Sequence, residues 1–152
     1  MPSGICERQV NIPIENIWRF VSDMNNWAPL VPGYQEHRII NMKQSIWICK
    51  GDLGIIQKTV RLSIWITEWK RPTKVAFTLS SGNEQVMGNG YFQAVKISKD
   101  NTKMIGSLTI TAKGIKGTMI NSVLRPFIPK ATADLTDAVI RQIQKKETVV
   151  MH

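Results

Sequence analysis

Residues 59–67, TVRLSIWIT, alternate apolar and polar side chains without a break, and no other feature constrains the fold of this chain as strongly. A period of two puts Val60, Leu62, Ile64 and Ile66 on one face of a strand and Thr59, Arg61, Ser63, Trp65 and Thr67 on the other. Val75, Phe77 and Leu79 continue the apolar face on the next strand, and Met104, Gly106, Leu108, Ile110 and Ala112 continue it on the last one. Breaks at 41–44 (NMKQ), 70–73 (KRPT), 80–83 (SSGN) and 98–102 (SKDNT) space residues 34–113 as an antiparallel meander. One-sided alternation across so many strands requires that one face of the sheet meet water and the other meet something apolar.

The two ends of the chain supply that apolar partner. Residues 5–12 read as a first strand, and Pro13 then suits the first turn of a helix, where its missing N–H costs nothing. Ile14, Ile17, Trp18 and Val21 follow at helical spacing, which predicts a short amphipathic helix over about 14–22. Asp23 caps a second, very short helix through MNNW, and Pro32-Gly33 closes the segment as a turn. From about Gly117 to Lys146 the pattern is helical, with Leu124, Ile128, Ala131, Leu135, Val139 and Ile143 on one stripe. Pro126 and Pro129 predict that this helix is kinked or split in two. At 152 residues the chain suits a single domain, 1–152. The expected class is α+β: a curved antiparallel sheet of about six to seven strands wrapped around a long C-terminal helix, with two short helices after strand 1.

Composition narrows the function by exclusion. With His37 and His152 as the only histidines, a His-rich metal site is excluded, and no Cys/His spacing suits zinc. His37 reads as an ordinary surface or half-buried histidine. No G-x-S-x-G elbow occurs, and the glycines of GNGYF (88–92) lack the strand-to-helix setting of a phosphate loop. They read instead as a bulge or a close backbone approach. Asp52, between two glycines, reads as a turn residue. Cys6 and Cys49 are too few for a disulfide framework and read as free thiols, which makes a cytoplasmic setting the expectation. No basic segment leads into an apolar run at the start, and no apolar run reaches the length of a membrane span. The net charge of +9 favours approach to an anionic surface, but no arginine stripe interleaves with aromatics, so nucleic acid is not expected as a partner.

The order of elements, with NIPIENIWRFVSDMNNWAPLVPG (11–33) near the start, resembles the SRPBCC superfamily, also called START or birch-pollen-allergen-like. LGIIQKTVRLSIWI (53–66), GNGYFQAVKI (88–97) and MIGSLTITAKG (104–114) extend the resemblance over nearly the full chain. Within the superfamily the chain looks most like the carbon monoxide dehydrogenase G-subunit branch, although RPFIP (125–129) is not a hallmark of that branch. The resemblance implies a helix-grip fold with an elongated cavity between sheet and long helix that takes apolar small molecules. It implies no single activity, because one fold hosts binders, transfer proteins and cyclases.

Combining residues and resemblance, the expected function is non-enzymatic binding of an apolar or amphipathic small molecule, such as a lipid or quinone, without cofactor or metal. The expected walls are Val60, Leu62, Ile64, Phe77, Leu79, Leu108 and Ile110 from the sheet and Leu124, Ile128 and Ala131 from the helix, closed by Trp27 and Leu30. The proline-pinned stretch DMNNWAPLVPG (23–33) forms a wall or lid at the mouth, with Trp27 as its plug; alternatively, Trp27 simply closes the end of the core. Peripheral docking to an anionic membrane or a partner complex is the added expectation from the charge and from the branch. Two other functions stay open. A cyclase or dehydratase would need an acid–base group in the cavity, for which Glu36, Asp52 and Glu84 are the candidates. An interaction or stress-response module would use exposed Trp65.

Overall fold

The computed structural model describes the backbone of residues 2–52, 57–82 and 85–150, and the side chains of 2–50, 59–82 and 85–146. Strand β1 (Ser3–Val10) leads into helices α1 (Ile14–Val21) and α2 (Met24–Trp27) and a 3-10 turn over Ala28–Leu30. Six strands follow: β2 (Tyr34–Ile39), β3 (Gln44–Asp52), β4 (Gln57–Lys70), β5 (Lys74–Ser81), β6 (Val86–Ser98) and β7 (Asn101–Ala112). Helix α3 (Gly117–Val150) ends the described chain. The strands form one antiparallel sheet in the order β1-β7-β6-β5-β4-β3-β2, so the meander closes by bringing β1 back beside β7.

The alternation in β4 is realised as expected. Ile64 and Ile66 are buried, Val60 and Leu62 half-buried, and Trp65 stands 45% exposed on the outer face. Cross-strand register carries the same face through Ile64 opposite Ser45 and Leu79, then through Phe92 opposite Val75 and Gly106. Bulges lie at Tyr34/Glu36, Ile66/Glu68 and Lys96/Ser98. Gly88 and Gly90 are not bulged. Each is a close approach, with Thr109 O and Ile110 against Gly88 and Ser107 O and the Phe77 ring against Gly90.

Asp23 caps α2 by accepting the Asn25 N–H at 3.0 Å. Gly33 turns the chain into β2 at φ 85°, a left-handed conformation that costs glycine little. Helix α3 crosses both prolines as one element instead of splitting. The missing N–H groups of Pro126 and Pro129 leave the Ser122 and Arg125 carbonyls without an i+4 helical donor, and all four residues are exposed. Cys6 on β1 and Cys49 on β3 are free thiols, separated by β7, β6, β5 and β4.

The core lies between the inner sheet face and the helices. Trp27, 1% exposed, stands at its centre with ring centroids 5.6 Å from Trp47, 5.8 Å from Phe77 and 5.2 Å from Phe92. Its Nε1–H donates to Val21 O at 3.1 Å, so burial leaves the indole with a partner. Met24 is tied in through the Ser45 hydroxyl (3.0 Å to the thioether), which in turn accepts the Trp47 Nε1–H at 2.9 Å. Helix α3 covers the β1/β7 side, seated where Gly4 meets Pro129 and Thr132 and where Gly106 meets Thr136. Arg8 on β1 pairs with Asp137 of α3 at 3.0 Å.

Candidate functional site

The inner sheet face is covered unevenly from one end to the other. At the end marked by the β2–β3 and β4–β5 turns, Ile64, Ile66, Val75, Phe92, Ala94 and Met104 are buried under Trp27 and α1. Toward the opposite end, where β7 passes into α3, the inward-facing Cys49, Val60, Leu62, Leu108 and Ile110 are only half-buried. Register groups them in two rows, Cys49 opposite Val60, and Gly88 and Gly90 opposite Ile110 and Leu108. The two glycines keep the floor of β6 low between them. Leu30, Val31, Tyr34 and Leu135 of α3, all half-buried, pack against the buried core. The inner face of the sheet is thus apolar and only partly covered at this end, next to the buried Trp27.

The expected wall residues divide into half-buried and buried ones. Leu30, Val60, Leu62, Leu108 and Ile110 are half-buried. Ile64, Phe77 and Leu79 from the sheet and Leu124, Ile128 and Ala131 from the helix are buried. Trp27 stands in the core, where the core-closing alternative requires it. Cys49, Tyr34 and Leu135 are half-buried on the same side of the molecule without having been named as wall residues from the sequence, whereas Val31 lies in the stretch read there as a wall or lid. Strand alternation alone could have found Cys49, two residues beyond Trp47 on the same face.

Polar groups near these half-buried side chains are few. Burial pushes the Cys49 thiol up, which keeps it protonated and weakly nucleophilic at neutral pH. The Tyr34 hydroxyl is 2.6 Å from His37 Nδ1, and His37 Nε2 is 2.7 Å from Asn25 Oδ1. The amide oxygen of Asn25 accepts from Nε2–H, and the Tyr34 hydroxyl shares the other bond with Nδ1. This chain of bonds clamps the edge strand β2 to α2, and both imidazole nitrogens are engaged in it. Glu36 is exposed, while Asp52 and Glu84 fall outside the described side chains. Among the described residues no three His, Cys, Asp or Glu side chains converge as a metal site would need.

A protein-family model matches residues 4–147, nearly the whole chain. Among solved structures, a conserved protein from Geobacillus kaustophilus is similar with a TM-score of 0.73 and 14% identity, covering 94% of this chain and 95% of its own. The Zhui aromatase/cyclase from Streptomyces sp. R1128 is similar with a TM-score of 0.70 and 13% identity over 95% of this chain and 94% of its own. A START superfamily protein from Mycobacterium smegmatis is similar with a TM-score of 0.63 and 14% identity over 94% and 97%. No curated protein matches the sequence. The fold is thus the helix-grip fold, a curved sheet gripping a long C-terminal helix. Its structural neighbours, a START superfamily protein and an aromatase/cyclase among them, support placing this fold with the SRPBCC, or START-like, superfamily.

Proposed function

We propose that this protein binds an apolar or amphipathic small molecule, of lipid or quinone type, without catalysing a reaction on it. The observation that carries this is that Cys49, Val60 and Leu62 on β3 and β4 and Leu108 and Ile110 on β7 face inward yet stay half-buried, which we read as an apolar groove. A sheet face that only filled a core would bury them as fully as it buries Ile64 and Phe92. A ligand losing roughly 300 Å² of apolar surface there gains on the order of 7 kcal/mol before ordering costs. Solvent extraction of the purified protein followed by mass analysis should release one apolar ligand class. Ile110→Trp, which projects a ring into the groove from a half-buried position, should reduce uptake at least tenfold. A wild-type protein that neither carries nor accepts an apolar ligand overturns the proposal.

The cyclase-type alternative has less support. The one described acid among its candidates, Glu36, is exposed, and His37 commits both nitrogens to Tyr34 and Asn25.

Within the superfamily we place the chain nearest the carbon monoxide dehydrogenase G-subunit branch, on the sequence motifs at 11–33, 53–66, 88–97 and 104–114. Membrane docking belongs to this proposal. Ile115 is fully exposed between Lys113 and Lys116 in the turn from β7 to α3, and Met119 is 48% exposed just beyond it. From 101 to 133 the sequence holds Lys103, Lys113, Lys116, Arg125 and Lys130 and no acidic residue. A cationic turn with an apolar tip at the groove end suits an anionic bilayer surface. No helix of the described residues is long and apolar enough to cross a membrane. The protein should cosediment with anionic vesicles at low salt and be released as salt rises. Ile115→Asp should weaken that binding, and indifference to anionic vesicles at low salt would remove docking while leaving the groove.

A further inference from the structure

A second pocket lies at the opposite end of the sheet, with none of the groove residues in its walls. Its volume is about 320 Å³. Trp18 of α1 and Trp69 of β4 meet edge to face at 6.4 Å beside it, and Met24, Met42, Ile39 and Ile66 complete the apolar lining.

The pocket is preformed, because bonds from β4 fix the β2–β3 turn that makes its wall. Trp69 Nε1–H donates to Met42 O at 2.9 Å, and Ile66 N–H donates to Lys43 O at 2.7 Å. Asn41 Oδ1 accepts the N–H groups of Lys43 and Gln44, each at 2.9 Å, which orients its amide so that the NH₂ end is left for another acceptor. A turn held at four points keeps a concavity that does not collapse when empty.

The rim carries one cation and one acid. Asp23 is committed to capping α2 through the Asn25 N–H. Lys43 has no ion-pair partner among the described residues. The lining therefore offers two indoles and two thioethers to a flat ring system, and an ammonium beside an amide NH₂ to an anion. A cavity of about 150 Å³ holds benzene, so roughly twice that volume suits two fused rings with one small substituent.

We propose that this pocket is an independent small-molecule site for a bicyclic aromatic carboxylate, whose rings lie against Trp18, Trp69 and Met24 and whose carboxylate meets Lys43 and Asn41. It stands apart from the groove in place and in ligand chemistry, and nothing in it depends on what the groove binds.

Calorimetric titration with 2-naphthoate, and with 2-naphthamide as the neutral counterpart, tests the assignment. Wild type should bind naphthoate saturably and about tenfold more tightly than naphthamide. Ile39→Trp, at a position 42% exposed, should fill the pocket and reduce binding of both at least tenfold. Lys43→Met, on an exposed turn, should abolish the preference for naphthoate and leave naphthamide unchanged. Ile110→Trp, which blocks the groove, should alter neither. No saturable binding at millimolar concentration, or equal affinity for the two probes in wild type, overturns the proposal. Naphthoate binding lost in Ile110→Trp but kept in Ile39→Trp also overturns it, since that probe would then sit in the groove.

Discussion

Trp27→Ala should cost about 3–5 kcal/mol of folding stability, the range for removing a buried aromatic from a packed core. The indole is 1% exposed and touches Trp47, Phe77 and Phe92, three rings carried by three strands. Its removal empties the junction where α2 meets β3, β5 and β6. The Val21 carbonyl also loses its donor. A domain whose total stability is about 5–15 kcal/mol keeps little margin after such a loss. Trp27→Phe is the informative companion, because it retains most of the ring contact and removes the hydrogen bond; it should cost about 1–2 kcal/mol. In urea unfolding both variants should move the midpoint with little change in slope. If Trp27→Ala instead costs under about 1 kcal/mol and abolishes ligand uptake, Trp27 acts as a lid that opens.

The contrast between Trp27 and the strands shows what the sequence could reveal. Strands β4, β5 and β7 were legible because period-two alternation is local and each residue declares its face through its neighbours. Helix α3 was legible for the same reason at period 3.6, with Leu124, Ile128, Val139 and Ile143 all buried. Trp27 was legible as an apolar residue in a proline-pinned loop but not as the centre of the core. Its depth depends on where α2 lands on the sheet, and no local pattern encodes that. The same reason hid the second pocket. Trp18, Met42 and Trp69 lie far apart in the chain and meet only because the β2–β3 turn folds against the end of β4.

Polarity concealed the rest. Thr132 and Thr136 are 3% and 1% exposed, yet they fell off the apolar stripe because hydroxyl residues read as solvated. Each satisfies its hydroxyl inside its own helix, Thr132 donating to Ile128 O at 2.7 Å and Thr136 to Thr132 O at 2.8 Å. With the hydroxyl turned back, each threonine presents a compact surface to the sheet. Gly4 and Gly106 lie opposite those surfaces, and together the four residues set how closely α3 approaches β1 and β7.

That seating gives the second large effect. In Gly4→Ala the new methyl would lie 2.6 Å from Pro129 Cα, 2.8 Å from Thr132 Oγ1 and 3.0 Å from Ile128 O. Two of the three contacts are helix backbone, so no rotamer change relieves them and α3 itself must lift. Overpacking of this kind costs about 1–3 kcal/mol. In Gly106→Ala the new methyl meets only the Thr136 side chain closely. Adding Thr136→Ala should therefore restore part of the stability lost in Gly106→Ala, whereas Thr132→Ala should not restore Gly4→Ala, because Pro129 Cα remains in the way. Urea midpoints of the four variants check this pattern. The idea that glycines seat the helix fails if Gly4→Ala stays within about 0.5 kcal/mol of wild type, the range of an ordinary surface change. With α3 as the side wall of the proposed groove, a lifted helix would widen the space beside Leu108 and Ile110. Gly4→Ala should then change apolar-ligand uptake even though residue 4 lines no part of the groove, which ties the spacing of helix and sheet to what the protein can hold.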